Sequence, residues 1–286
     1  MSDNKNLLKI TALLSKIIKK INKDDPTIAI IKLHGVIGKV GHNQGLTLDS
    51  LKSLDKINKI KNLKAIALLI NSPGGSPVQS ELIAKHIKFI RQKNKKKNLP
   101  IIAFCEDVAA SGGYWLACIA DEIYASRASI IGSIGVISHG FGFVEALKKL
   151  GIERRVYSQG KNKAVLDPFS NTKKEDVELI STIQKDIHEH FIDYVKESRG
   201  KKLKKDPDLF TGKFWSGSSA KKLGLIDELG YYEEVLTKKY GKKIKFKEFG
   251  QHKSFLQRKL GAFIDIFYGK IEQKFIESSY FNKYKL

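Results

Sequence analysis

IIAFCEDVAASGGYWLACIADEIYA, residues 101–125, compresses three elements into one stretch. IIAFCED is a continuous apolar run, which predicts a buried strand. DEIYA predicts a second, shorter strand. Between them AASGGYW, residues 109–115, hands the first strand over to a helix that begins at or just after Ser111. A serine flanked by two alanines and two glycines has clearance around its hydroxyl. Helix capping is one use for it, since serine is a common N-cap. Admitting a reactant to the hydroxyl is another.

The same alternation continues on both sides. TIAIIKLHGVIG, from Thr27, predicts a strand, and AIALLIN (65–71) predicts a buried strand that opens into SPGG. A helix is expected from about Pro77 to Arg91, and Pro100 breaks the chain before the next strand. SIIGSIGVIS (129–138) predicts glycine-punctuated strand and turn. EALKKL predicts a helix closed by Gly151, and ERRVYS predicts a strand. A long helix is expected over 173–199, with Thr172 and Glu175 as a capping box and Gly200 as its stop. Trp215 and Gly217 suggest a helix start, and Gly224 to Asp227 a helix stop and docking turn. Strand and helix in turn predict an α/β domain with mostly parallel strands covered by helices.

Composition bounds the function. The chain has 286 residues, 42% of them hydrophobic, and six prolines, which fits a globular protein. No run of about 18 apolar residues offers a spanning helix. The N-terminus lacks the apolar core and cleavage site of a secretion signal. Cys105 and Cys118 lie in apolar segments without CxxC spacing, as reduced thiols in a reducing compartment would. The net charge is +22, yet only six of the 52 basic residues are arginine, and the lysines are spread along the chain. No nucleic-acid module accompanies them, so no specific nucleic-acid partner is expected.

Residues 1–25 carry a basic amphipathic helix, with Leu7, Ile10, Leu14, Ile17 and Ile21 on one stripe and lysines elsewhere. It suits either packing on protein or peripheral contact with an anionic membrane. Residues 246–286 form a second basic amphipathic helical tail. The domain between them spans 26–245.

The candidate chemistry centres on Ser111 and the NSPGGS loop, 71–76. Both lie at the ends of expected neighbouring parallel strands, where α/β folds place ligands. The N–H groups of Gly75 and Gly112 are able to converge on one oxygen as an oxyanion hole. A serine nucleophile needs a base. His139 and Lys163 are the candidates, with Lys161 adjacent. Residue chemistry alone favours His139, because histidine titrates near neutrality. His188 and His190 stand two apart on a helix, which points them away from each other and from a shared metal.

Taken in order, NSPGG, DVAASGGYW, GSIGV, YSQGKNKAVLDPF and FWSGSSAKKLGLIDELG resemble the signal peptide peptidase A family of Ser–Lys peptidases. The resemblance covers roughly residues 28–235. It implies the Clp protease and crotonase-like fold, a repeated β-β-α superhelix. It implies Ser111 as nucleophile, Lys163 as general base, Ser133 as the serine that orients the lysine, and Gly75 and Gly112 as oxyanion donors. His139 and Lys161 fall off the family's catalytic positions.

The expected activity is that of a serine endopeptidase cutting short apolar unfolded peptides, such as cleaved signal peptides, with no cofactor or metal. Many members carry an N-terminal membrane span. This chain has only the amphipathic segment, so a cytoplasmic location is expected, peripheral on the inner membrane surface. Each motif occurs once, so a homo-oligomer is expected in which Ser111 of one subunit meets Lys163 of the next. The rivals are a crotonase-like acyl-CoA enzyme and a membrane-surface scaffold with a vestigial site.

Overall fold

The computed structural model describes residues 25–40, 43–94 and 98–250. The amphipathic helix expected within 1–25 and the tail beyond 250 lie outside the described residues. The chain forms a mostly parallel sheet covered by helices. Its strands are β1 (Thr27–His34), β4 (Leu63–Ser72), β5 (Ile101–Ala110), β6 (Glu122–Ala125), β9 (Glu228–Leu229) and β10 (Lys245–Phe249). They run in the order β10-β1-β4-β5-β6-β9, every neighbour pair parallel. A side branch adds β7 (Ile130–Gly132), parallel to β5, and β8 (Phe214–Ser216), antiparallel to β7. A short antiparallel pair, β2 (Lys39–Val40) and β3 (Asn43–Gln44), stands apart.

The continuous apolar strands follow from cover on both faces. One face, with Ile31, Leu33, Ile66, Leu68 and Ile70, packs under most of the helices. The other, with Ile28, Ile30, Leu69, Ile102 and Phe104, packs under a helix carrying Leu236. Each such buried aliphatic side chain contributes about 1.5–3 kcal/mol.

Helix α1 (Pro77–Lys93) starts where Ser76 Oγ accepts the Gln79 N–H and proline takes the first turn. Its buried residues Ser80, Ile83, Ala84, Ile87 and Ile90 fall on one face. The chain continues through α2 (Gly112–Ala117), α3 (Val144–Lys149), α4 (Lys174–Arg199), α5 (Gly217–Leu223) and α6 (Tyr232–Tyr240). A 3₁₀ helix, Asp49–Lys59, precedes β4 and buries Leu51, Leu54 and Ile57. Those residues recur every third position, the spacing that eclipses side chains in a 3₁₀ turn.

Three expectations change. ERRVYS forms no strand. Residues 153–158 are exposed on an arm with no neighbouring strand to pair with. The capping box is not formed. Helix α4 begins at Lys174, Lys173 occupies the N-cap without a side-chain cap bond, and Glu175 is left one position too early to close the box. Trp215 sits in β8 rather than at a helix start, and its ring packs over Gly132. Gly200 and Gly224 do stop their helices, with φ of 50° and 77°.

Candidate active site

Strand β5 belongs to two parts of the sheet. Residues Ile102 to Cys105 pair with β6, and Val108 to Ala110 pair with β7. Between them the β4–β5 register slips, from Ile70 opposite Cys105 to Ser72 opposite Ala109. Asn71 holds this bulge, donating to Asp107 Oδ2 at 2.7 Å and accepting from the Val108 N–H at 3.3 Å. The bulge bends the strand and re-aims its C-terminal end, from which Ser111 projects.

Ser111 has φ 52° and ψ −122°, a conformation rare outside glycine. It costs about 1–3 kcal/mol and persists where surrounding contacts over-determine it. Here they do. The Ser111 N–H donates to Gly132 C=O at 2.8 Å, and its own C=O accepts the Trp115 N–H at 3.0 Å. The residue stands at the N-cap of α2, but its hydroxyl makes no capping bond. Capping therefore does not explain the serine. Ser133 has the same φ, 52°, and follows the Gly132 that holds Ser111. Its N–H donates to Lys213 C=O at 2.8 Å.

The glycine loop closes against this turn. A Cβ on Gly74 would come within 2.7 Å of Ser111 Cβ and 2.8 Å of Gly112 N. Gly74 C=O accepts the Ile37 N–H at 2.8 Å, and Ser76 N–H donates to Ile37 C=O at 2.8 Å. In such a parallel bridge the residue between, Gly75, turns its own N–H to the other side. The Gly112 N–H is the first of α2 and has no intrahelical acceptor. The glycine loop and the first turn of α2 thus meet at the serine, each with a backbone N–H not used by the bonds above. The close approach of Gly74 to Ser111 is a tertiary contact, and the doubled glycine of PGG is its only signal in the sequence.

The remaining candidates divide cleanly. Ser111, Ser133, Gly75 and Gly112 are gathered at the ends of β4, β5 and β7. Lys163, Lys161 and His139 are not. All three are exposed on an arm between β7 and α4 that carries α3. Lys163 N–H bonds to Gly160 C=O at 3.1 Å within that arm. His188 Nε2 lies 3.1 Å from Ile134 C=O, and His190 Nε2 lies 4.0 Å from Glu81. Burial pushes the Cys118 thiol up to about 12, and Cys105 higher still. Neither thiol supplies a nucleophile near neutral pH. A cleft of about 920 Å³ opens beside the bulge, with Leu69, Phe104, Ile130, Tyr231 and Tyr232 among its walls.

The fold and site define an α/β protein with a serine on a strained strand-to-helix turn, packed against a glycine loop. The chain belongs to peptidase family S49, whose model matches residues 93–245, a range that holds Ser111, Ser133 and Lys163. A chloroplastic serine protease SPPA of Arabidopsis thaliana is 32% identical over 210 residues, covering 71% of this chain and 30% of that one. A Brucella abortus protein named Na(+)/H(+) antiporter NhaA is 46% identical over 255 residues, covering 88% of this chain and 34% of that one. The chain thus spans about a third of the length of these relatives. No helix among the described residues is long and apolar enough to cross a membrane. A solved membrane-bound stomatin-specific protease, a mutant in complex with a substrate peptide, aligns with TM-score 0.49 at 16% identity, covering 84% of this chain and 99% of that one.

Proposed function

We propose that the chain is a serine endopeptidase acting through Ser111 and Lys163 on short, apolar, unfolded peptides such as cleaved signal peptides. Lys163 takes the proton from Ser111 Oγ as the oxygen attacks the peptide carbonyl. The N–H groups of Gly75 and Gly112 stabilise the oxyanion. Lys163 passes the proton to the leaving amine, then activates the water that frees the acyl group. Ser133 orients the lysine amine.

The observation that carries this reading is the strained Ser111 turn, packed against Gly74 and free of any capping bond from its hydroxyl. Membership in S49 favours it over an acyl-CoA enzyme or a scaffold.

We infer that the dyad is shared across a homo-oligomer, a reading that the exposure of Lys163 on the arm favours. The arm supports this, since Ile137, Phe141 and Tyr157 are 83%, 79% and 92% exposed. Apolar surface of that kind marks a contact with a partner. We place the working enzyme in the cytoplasm, peripheral on the membrane surface.

The test of the nucleophile is capture by a labelled fluorophosphonate. Modification should map to Ser111 and vanish in Ser111→Ala, together with hydrolysis of an apolar reporter peptide. Labelling elsewhere with full turnover in Ser111→Ala would remove the serine from this role.

A further inference from the structure

Beyond the dyad, the arm carries a device around Lys163. Four residues after the lysine, the Asp167 carboxylate is ion-paired with the Arg154 guanidinium. It also accepts the Phe169 N–H at 3.1 Å and the Ser170 hydroxyl at 3.2 Å. The Arg154 guanidinium lies over the Phe169 ring, 5.0 Å from its centre. That ring stacks on Phe143 at 5.5 Å, and Phe143 N–H donates to Pro168 C=O at 2.6 Å. Leu166 N–H donates to the Asp176 carboxylate at 3.2 Å, at the start of α4. Leu166 itself has φ 51°, an outlier for a bulky side chain.

A neighbouring pair provides the contrast. Arg155 and Glu153 form an ion pair whose side chains are 67% and 72% exposed, while those of Arg154 and Asp167 are 36% and 8% exposed. The first pair is local and solvated, of a kind that contributes little. The second joins residues thirteen apart and closes the chain into a loop that contains Lys163. A guanidinium stacks on a ring with its plane while an edge N–H donates to a carboxylate, and arginine is scarce in this lysine-rich chain.

We propose that Arg154 and Asp167 are positioning residues that clamp the 154–167 loop and so set where the Lys163 amine is presented. This rests on the reading of Lys163 as the base. A lysine on a long stem at the end of an exposed arm has many directions available. Proton transfer needs one, and a misplacement of about 1 Å costs on the order of a hundredfold in rate. Arg154 holds the Asp167 carboxyl below its usual range, so the pair stays charged where a lysine base is assayed.

The experiment compares Arg154→Gln, Arg154→Lys, Asp167→Asn, Asp167→Glu and the Arg154→Gln/Asp167→Asn double variant, all in the full chain. Lys163→Ala and Glu153→Gln accompany them. kcat and KM are measured on an apolar fluorogenic peptide, with melting and size-exclusion profiles for each protein. The single neutralising variants should lose about tenfold or more in kcat, with KM within about twofold. The double variant should be no worse than either single, and Asp167→Glu should recover part of the rate. Glu153→Gln should match wild type. If Asp167→Asn does not fold, Arg154→Lys decides, because it keeps the charge and loses the planar group that lies over Phe169. Wild-type kcat in the clamp variants, beside a dead Lys163→Ala, overturns the clamp alone. So does a kcat loss matched by an equal loss of assembled protein. Full activity in Lys163→Ala sinks the lysine reading and the clamp with it.

Discussion

Gly74 lies so close to Ser111 that a methyl group on its α-carbon would stand 2.7 Å from the serine Cβ and 2.9 Å from Ala110 C=O. Its φ is 102°, which disfavours any side chain even without the contact. The serine turn and the glycine loop therefore hold each other in place. Gly74→Ala should displace the Ser111 turn and, with it, the proposed oxyanion donors. The expected result is at least about a tenfold fall in fluorophosphonate labelling, since one lost oxyanion donor alone costs about a hundredfold or more. The melting temperature should fall by several degrees, at roughly 2–4 °C per kcal/mol for a chain of this size. Labelling at the wild-type rate would show that the loop does not support the serine.

The Arg199–Asp227 pair anchors the far end of α4. Arg199 is 2% exposed, and its guanidinium donates to Asp227 at 3.0 and 3.1 Å and to Gly224 C=O at 3.0 Å. Asp227 Oδ2 also accepts the Ile123 N–H at 2.8 Å, tying the helix to β6. Burial alone would raise the Asp227 carboxyl. Bonds from Arg199, Lys202 and the Ile123 N–H outweigh it and hold the group below its ordinary range. A depressed folded value stabilises above the unfolded value of about 4 and fades as pH falls through the folded value. Asp227→Asn should cost about 3–5 kcal/mol at neutral pH, because Arg199 is left without its counter-charge. Thermal melts from pH 7 down to about pH 2 check this: the variant's curve should flatten on the acid side. A parallel acid slope in both proteins would assign the loss to other carboxylates.

The proposed sharing of the dyad between subunits makes a prediction about mixtures. Ser111→Ala and Lys163→Ala should each be inactive, and reassembly of the two together should restore part of the activity. His139→Ala should remain near wild type. A base that works as a neutral amine also requires the rate to rise with pH. Mixed oligomers that form without regaining activity place the dyad within one chain.

Much of the fold around Ser111 was legible. Two-sided burial gave β4 and β5 their unbroken apolar runs, and the small residues around Ser111 marked the turn. Gly74 escaped because contact across two loops has no one-dimensional signal beyond the glycine itself. The 3₁₀ helix escaped for another reason. Leu48, Leu51, Leu54, Ile57 and Ile60 recur every three residues, which matches neither a strand nor an α-helix period. ERRVYS misled because its residues favour strands, and a strand exists only with a partner. The arm's own packing depends on Arg154 reaching Asp167, a contact that spacing does not disclose.

The arm has one more consequence, in the lifetimes of its amide protons. Among the described residues, the hydrogen bonds of 137–173 run within the arm or to the start of α4. Those around Ser111 sit in the sheet and its core. Amides exchange with solvent at rates set by the cost of opening each region. In a lone protomer, deuterium should therefore label the arm early and reach the Ser111 turn only near global unfolding. Assembly should slow the arm's labelling and leave that of the turn nearly unchanged. On this reading the Ser111 turn is stiff by inheritance from the sheet, whereas the arm should stiffen only in company.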